Sequence, residues 1–486
     1  MFVRFRVANH RSIRDEAELS FVAGVDSPFG RPLDGQEGLA VLPVVAIYGP
    51  NASGKSAILN AVAFLSEAVS ESHRGWDPEG GTPRESFALD KSCGVLPSLF
   101  EVDVIVDGVR FAYGFELDDD RIIAEWIYSW PKGRKVVWLE RSDSDFEFGR
   151  ALQGENRAIA DFTRPNSLFV SSAAQNNHAQ LMPLFHALTS GIAAPRTPNH
   201  DSLELALAST ARALRDGRRE RVVFLVRLAD LGIEDVIDLG APAPPSPSLF
   251  DDMELSGFVA PKASVDTKAA EQARRKLAAL RRNRDTKSVG ALFDEVDAGS
   301  NEQQRQEEVD RLRTLQSLAR GSKKERFRIA DLRFQHRGAR RELLTVAQES
   351  AGTLSWFALV GQLLDVMDSG GLLCFDELDA TLHPALVAEV VSLFQNPSTN
   401  PNCAQLLAAC HDTTVLSNST ENHLQRDQVW LTEKNEDGAT SLVPLSDYRV
   451  RSDQNLEVSY RQGRFGAVPL VSANHLASAL ASAIVA

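Results

Sequence analysis

The sequence predicts an α/β protein organised on a mainly parallel sheet, and three observations carry that expectation. A continuous apolar run from Val41 to Tyr48 enters a glycine-rich turn, and helical periodicity follows from Ala57 to Val69. Beyond residue 350, helical segments alternate with short apolar strands, the pattern of a parallel sheet covered by helices. Composition permits a large core, since 43% of the 486 residues are hydrophobic and 24% are charged.

The elements can be justified in order. Residues 2–7 and 17–22 alternate as strands around Asn9-His10-Arg11-Ser12, a starting hairpin. Residues 73–97, rich in Gly, Pro and charge, read as an irregular loop, and period-2 strands fill 98–140. From 201 to 232 the pattern is helical and arginine-rich. Pro242 to Pro247 breaks it and opens a flexible Pro-rich stretch over 240–265. Two polar helices over 267–319 read as a protruding arm, and a β pattern returns at 326–346. A helix over 353–367, a strand over 371–375, a helix over 384–394 and strands over 405–410 and 428–432 complete the core. The expected division is 1–200 for a β-rich N-terminal lobe and the first part of the α/β core, 201–325 for an inserted helical arm, and 326–486 for the rest of the core.

Composition also excludes function classes. The formal charge is 52 − 66 = −14, so any nucleic-acid contact needs a local basic patch. Four cysteines without CxxC spacing argue against a zinc ribbon or a disulfide framework. No apolar run approaches the roughly 18–20 residues of a membrane span, and the C-terminal 477–486 run is too short for one. The expectation is a soluble, reduced, cytoplasmic protein without a membrane partner.

Four motifs carry chemistry. Gly49-Pro50-Asn51-Ala52-Ser53-Gly54-Lys55-Ser56 fits the phosphate-loop pattern G-x-x-x-x-G-K-[ST] between a strand and a helix. Its glycines let successive N–H groups face a phosphate, Lys55 reaches the β/γ-phosphates, and the Ser56 hydroxyl ligates Mg²⁺. The implied ligands are a nucleotide's phosphates and Mg²⁺. Second, the apolar strand Leu372-Leu373-Cys374-Phe375 ends in Asp376-Glu377. Adjacent carboxylates there suit a cation held through water by Asp376 and a general base in Glu377; the alternative is a helix N-cap followed by a first-turn acid. Third, His411 follows the strand Gln405–Cys410, 411 − 377 = 34 residues after Glu377, where it could hydrogen-bond a γ-phosphate. Fourth, Ser350, Gly352 and Thr353 precede a helix and form a second anion nest, or a plain N-cap by Ser350. One nucleotide does not need two nests in one chain. The economical account is that this nest closes over the nucleotide of another copy.

In their order, these motifs with Asp379-Ala380-Thr381-Leu382-His383-Pro384 resemble the ABC-type ATPase heads of the SMC/RecF/OLD group. They are more closely similar to the bacterial abortive-infection ATPases called RloA-like or AbiL-like. The opening Asn9-His10-Arg11-Ser12-Ile13 and the closing stretch Tyr460 to Pro469 resemble that subfamily too. The resemblance covers roughly 1–180 and 326–475. It implies a P-loop NTPase with an ABC-type head, ATP hydrolysis at a head-to-tail homodimer interface, and Ser350 and Gly352 acting in trans. It further implies anti-phage defence beside a separate effector, commonly a Toprim-type nuclease. Two departures stand out. The nest reads Ser-Ala-Gly-Thr where transporter heads carry Ser-Gly-Gly-Gln, and the usual glutamine contact to Mg²⁺ has only Gln175, near an expected strand Leu168-Phe169-Val170, as its candidate.

Spacing separates the relatives. Lys55 and Ser350 are 350 − 55 = 295 residues apart, far beyond the roughly one hundred that a resemblance to transporter heads would imply. Arms of ~25 helical residues reach only about 38 Å, too short for a long tethering machine. Arg274-Arg275-Lys276 and Arg281-Arg282-Asn283-Arg284 on one predicted helix, with Arg212, Arg215, Arg218, Arg219 and Arg221 upstream, suit either salt-sensitive phosphate-backbone contact or a solvated face balanced by acids. The first use would fit an alternative function, a RecF-like DNA-repair ATPase.

Overall fold

The computed structural model describes residues 1–33, 38–193, 200–229, 232–239, 331–338, 343–377, 382–417, 423–449 and 455–468. The expected arm over 267–319, its basic cluster at 274–284, the Pro-rich stretch, Asp379 to Thr381 and the 477–486 run lie outside the described residues. The chain divides into one unit made of Met1–Gly240 and Phe327–Ala486 and a second, Ala241–Arg326.

The first sheet is the β-rich lobe. Its strands are β1 (Phe2–Ala8), β2 (Ala17–Ser20), β6 (Ser98–Val106), β7 (Val109–Leu117), β8 (Ile122–Trp130), β9 (Val136–Ser142) and β10 (Asp145–Phe148), and β3 (Arg31–Pro32) and β4 (Ala40–Val41) pair separately. The lobe sheet runs β10-β9-β8-β7-β6-β1-β2 and is antiparallel throughout. The hairpin expected at the N-terminus forms, with Arg4 opposite Ser20 and Val7 opposite Ala17.

The second sheet carries the site. It joins β5 (Val44–Tyr48), β11 (Ile192–Ala193), β15 (Leu372–Phe375), β16 (Gln405–Cys410), β17 (Val429–Lys434) and β18 (Thr440–Pro444) in the order β11-β15-β16-β5-β17-β18, while β12 (Ile233–Asp238), β13 (Leu332–His336) and β14 (Leu343–Thr345) form a separate antiparallel sheet. Every pairing is parallel except the edge pair β17–β18. β5 is buried on both faces, as its unbroken apolar run requires. Val45 and Ile47 pack with helix α1 (Lys55–Glu71) and the lobe, while Val44, Ala46 and Tyr48 join the core on the other face.

That other face corrects one expectation. Helices α5 (His200–Arg215) and α6 (Arg219–Leu228) were assigned by sequence to the arm, yet they belong to the first unit. They pack on α7 (Ala351–Ser369), where a Cβ on Gly361 would lie 2.3 Å from the Thr210 backbone nitrogen, and the Trp356 indole donates to the Leu225 carbonyl at 3.0 Å. Arginine content misled because its partners are distant in sequence. Arg215 pairs with Asp238, Arg218 with Asp365 at 2.7 Å, Arg219 with Asp235 at 2.7 Å and Arg221 with Asp368 at 2.7 Å. For these four, the balanced-face reading holds.

A second correction concerns Leu168-Phe169-Val170. The expected strand is the start of helix α3 (Phe169–Gln175), which follows α2 (Asn156–Asp161) and precedes α4 (Met182–Leu188). The fully buried Glu125 carboxylate accepts the Phe169 and Val170 amides at 2.6 and 3.2 Å, capping a helix that three apolar residues alone do not announce. Gln175 is exposed at its end.

Candidate functional site

Parallel register brings three strand ends to one edge. Cys410 of β16 lies opposite Tyr48 of β5, and Phe375 of β15 opposite Ala408 of β16. Residues that follow those strands therefore emerge side by side: Gly49, Asp376-Glu377 and His411. In the described residues one cavity of about 420 Å³ is lined by Asn51 to Ala57, Glu377 and His411, together with Arg11 and Ser12. Six of the eight phosphate-loop residues, with Ala57 of the following helix, thus share a pocket with the predicted base and the predicted strand-end histidine.

The loop itself is shaped by backbone that side chains rarely adopt. Gly54, the residue before α1, has φ 111°, and Ala52 has φ 62°. Lys55 is 6% exposed, and its Nζ donates to the Gly49 and Pro50 carbonyls at 2.9 and 3.1 Å, so the cation arches over the loop. Gly49 is needed for packing as well as for turning, because a Cβ there would lie 2.4 Å from Thr432 Oγ1 and 2.5 Å from the Thr432 carbonyl.

Threonine hydroxyls on β17 and β18 brace the loop, and sequence reasoning missed them. Ser53 Oγ and Thr432 Oγ1 are 2.6 Å apart. Thr440 Oγ1 donates to the Ser53 carbonyl at 3.0 Å, accepts from Lys434 Nζ at 3.0 Å and meets Ser12 Oγ at 2.8 Å. With one proton to give, Thr440 must accept from Ser12. The Thr440 amide also donates to the Ser12 carbonyl at 2.7 Å. The clue lay in the opening Asn9-His10-Arg11-Ser12, which has the look of a turn but no ligand-like residue pattern.

Glu377 stands in left-handed backbone with φ 53°. Beside it, Asp376 Oδ1 is buried with no hydrogen-bond partner among the described residues. A carboxylate oxygen left in that state fits a hard divalent cation, as does the exposed hydroxyl of Ser56 in the same segment. The Ser350 nest is placed elsewhere. Ser350 caps α7, accepting the Thr353 amide at 3.1 Å with its hydroxyl 2.9 Å from Thr353 Oγ1. Ser350, Gly352 and Thr353 are not among the residues lining the phosphate-loop cavity. His383 caps α8 (Pro384–Gln395), its Nδ1 accepting the Ala385 amide at 3.2 Å. The closing stretch reaches the core through helix α9 (Leu456–Arg461), where Tyr460 donates to the Ala467 carbonyl at 2.7 Å.

Residues 44–417 match a family described as "AAA domain, putative AbiEii toxin, Type IV TA system". The chain belongs to this AAA-domain family. The match begins on β5 and runs through the phosphate loop, the Asp376-Glu377 strand and His411, so it contains the ends of β5, β15 and β16 at the cavity, while Arg11 and Ser12 lie outside it. No curated protein matches the chain. Among solved structures, this AAA domain is similar to an Smc head bound to the C-winged helix domain of ScpA, with 13% identity, a TM-score of 0.40, and coverage of 95% of this chain and 99% of that one. It is similar to the SMC head domain from Thermotoga maritima at 11% identity and TM-score 0.34, covering 92% and 99%. An Smc head with an extended coiled coil bound to the C-terminal domain of ScpA derived from Pyrococcus furiosus gives 14% identity and TM-score 0.30, covering 95% and 98%. No helix among the described residues is long and apolar enough to cross a membrane.

Proposed function

We propose that the protein is an ABC-type ATPase that binds ATP with Mg²⁺ in this cavity and hydrolyses it to control a partner effector in anti-phage defence. The observation that carries the reading is the convergence of the phosphate loop, Glu377 and His411 on one pocket. In this scheme the loop amides of Gly49 to Ser56 and the Lys55 ammonium hold the β/γ-phosphates, and the helix α1 N-terminus favours their charge. Ser56 and Asp376 would hold the Mg²⁺, which neutralises phosphate charge when bound. Glu377 accepts a proton from the water that attacks the γ-phosphorus while the bond to the β–γ bridging oxygen breaks. His411 donates a hydrogen bond to a γ-phosphate oxygen and so senses whether that group is present.

In the Ser350, Gly352 and Thr353 nest, Ser350 is exposed and Gly352 half-buried at the helix start while Thr353 is buried behind them, and the exposed edge suits closure over the nucleotide of a second copy in a head-to-tail dimer. The family's description as a putative AbiEii toxin in a type IV toxin–antitoxin system supports a defence role, and a separate nuclease, of Toprim type or another, is the effector proposed.

The test is phosphate release by the purified chain and by variants. Lys55→Ala should lose nucleotide binding, while Glu377→Gln should keep binding and lose turnover by about 10²-fold or more. Mixing Lys55→Ala with Ser350→Arg, each inactive alone, should restore turnover through the one intact composite site. Full turnover in Glu377→Gln would refute the assignment of the base, and failure of the mixture would refute the trans nest.

A further inference from the structure

We infer that the outer face of the lobe sheet is a docking surface for single-stranded nucleic acid. Bases stack on Trp126, Tyr128 and Trp130 of β8, and the backbone phosphates meet the basic turn Lys132-Gly133-Arg134-Lys135 that joins β8 to β9. The inference stands apart from the nucleotide-binding reading of the cavity.

The stripe follows from the strand period. Along β8, Glu125, Ile127 and Ser129 are buried in the lobe, so Trp126, Tyr128 and Trp130 stand together on the opposite face, where all three are half-buried. Their partners on β7 are Gly114, Ala112 and Arg110. The small residues make room for the rings. A Cβ on Gly114 would lie 2.4 Å from Trp126 Cζ2 and 2.5 Å from Cε2, so the indole fills the space above that glycine. Its Nε1 reaches past β7 and donates to Glu101 Oε2 on β6 at 2.8 Å. A ring fixed at both ends is ordered before any ligand arrives, which lowers the cost of binding.

Cations already sit on the other two rings. Lys135 Nζ lies 3.3 Å from the Tyr128 ring centroid, and Arg110 Cζ lies 4.8 Å from that of Trp130. The chain as a whole carries a formal charge of −14, yet the turn is locally basic. Lys132, Arg134 and Lys135 are exposed and form no ion pair among the described residues. The carboxylates beside the stripe are committed elsewhere: Glu101 to the Trp126 indole and Arg6, Asp103 to Arg4 and Arg110, and Glu140 to the Tyr128 hydroxyl. Glu116 lies past the end of the stripe, opposite Ala124.

The spacing selects the occupant. Alternate residues of a strand are about 6.7 Å apart, twice the roughly 3.4 Å step between stacked bases, so a single strand stretched along β8 sets one base on each ring. Lys135 then leaves Tyr128 for a phosphate. With the neighbouring acids engaged, the stripe offers ring faces and positive charge, which suits binding tolerant of sequence and of sugar. A lipid surface met by the turn would engage Trp130 and leave Trp126, about 13 Å back along the strand, unused.

Fluorescence anisotropy on the full chain tests this, with a labelled oligothymidylate of about 15 nucleotides, its oligouridylate counterpart and a duplex of the same length. Both single strands should bind with similar affinity, and the duplex about tenfold more weakly. Trp130→Leu should cost about tenfold in affinity with an unchanged salt slope. The triple variant Lys132→Gln, Arg134→Gln, Lys135→Gln should lower the slope of log affinity against log salt by about 2. Melting curves check folding, and the triple variant lies on an exposed turn, so it serves even if Trp130→Leu does not fold. Absence of single-strand binding, duplex binding as tight as single-strand binding, a strong preference for one sugar, or parental affinity and slope in the variants would each overturn the inference. So would sedimentation with phosphatidylserine vesicles, lost in the triple variant, without oligonucleotide binding; that result would assign the turn to a membrane surface.

Discussion

Thr440→Val isolates the bracing of the phosphate loop. Valine keeps the shape of threonine and removes only the hydroxyl, which is 93% shielded as part of a residue 7% exposed. That hydroxyl is saturated, with one bond given to the Ser53 carbonyl and two received, from Ser12 and Lys434. The three losses are unequal. Lys434 is exposed and Ser12 half-buried, so both can turn to water at little cost. The Ser53 carbonyl cannot, and an unsatisfied buried carbonyl costs about 1–3 kcal/mol. A destabilisation of roughly 2 kcal/mol follows, read as a lower urea midpoint with unchanged slope. Part of that cost falls on the ordering of Ser53-Gly54 before ligand arrives, so ADP affinity should fall by about tenfold, equivalent to about 1.4 kcal/mol. Thr432→Val is the companion: it removes the 2.6 Å contact to Ser53 Oγ, which can turn to another partner, and a longer 3.3 Å bond to the Tyr48 carbonyl, so it should lose less in both measurements. A Thr440→Val protein with parental midpoint and parental affinity would refute the reasoning.

Other perturbations probe the frame around the site. His10 is fully buried against Phe64 and Phe100 with Nε2 2.9 Å from Asn60 Oδ1, and burial pushes its pKa down to about 4. Between pH 6.5 and 4 the unfolded chain binds a proton that the folded chain refuses, so stability falls as pH falls through that window, by up to roughly 3 kcal/mol; urea midpoints from pH 7.5 to 4.5 should show it, and His10→Gln should flatten the slope. Arg141 is buried 3.6 Å from the buried Glu125, and Arg141→Leu strands that carboxylate, so equilibrium unfolding should show a loss of about 3–5 kcal/mol, with part recovered in the double variant with Glu125→Gln. Glu377→Gly removes a left-handed non-glycine residue, so its melting temperature should hold or rise by the equivalent of up to about 1 kcal/mol while phosphate release stops. A clear drop in melting temperature would show that Glu377 is held by its contacts and not in spite of its backbone.

The legible parts of the molecule share a property: their signals are local. The phosphate loop is eight consecutive residues between a buried strand and a helix, and the structure has α1 begin at Lys55, inside that motif. Asp376-Glu377 and His411 were readable because a short apolar strand that stops at a polar residue marks the edge of a parallel sheet. What failed to be legible depended on distance. Thr432 and Thr440 reach Ser53 only because β17 pairs with β5 in the register Leu431 opposite Tyr48, and nothing in a strand threonine announces such a partner 379 or 387 residues away. Helix α6 had a readable signal that its arginines obscured, for Val222, Val223, Leu225 and Val226 are all buried. The start of α3 depended on Glu125, a residue 44 positions upstream of Phe169, and tertiary capture of two amides overrode the apolar run.

Strain shows the same logic from the opposite side. Arg11, Ala52 and Glu377 take left-handed backbone without being glycine, and all three line the one cavity. They come from three segments that are remote in sequence, so no single turn motif explains them together. Each such residue costs of order 1–3 kcal/mol and persists only where surroundings over-determine it. Those surroundings differ: the Asn9 hydrogen bonds fix the first, the Ser53–Thr440 brace adjoins the second, and the end of a fully packed strand precedes the third. A fold selected for stability alone would place glycine or asparagine at such positions, as it does at Gly108 and Gly370, where φ is 74° and 71° and no chemistry is at stake. Six other described non-glycine residues, among them Asp107, Asp143, Cys403 and Ala467, take the same backbone away from the cavity, so what sets Arg11, Ala52 and Glu377 apart is their convergence on one pocket from three remote segments and not the strain itself.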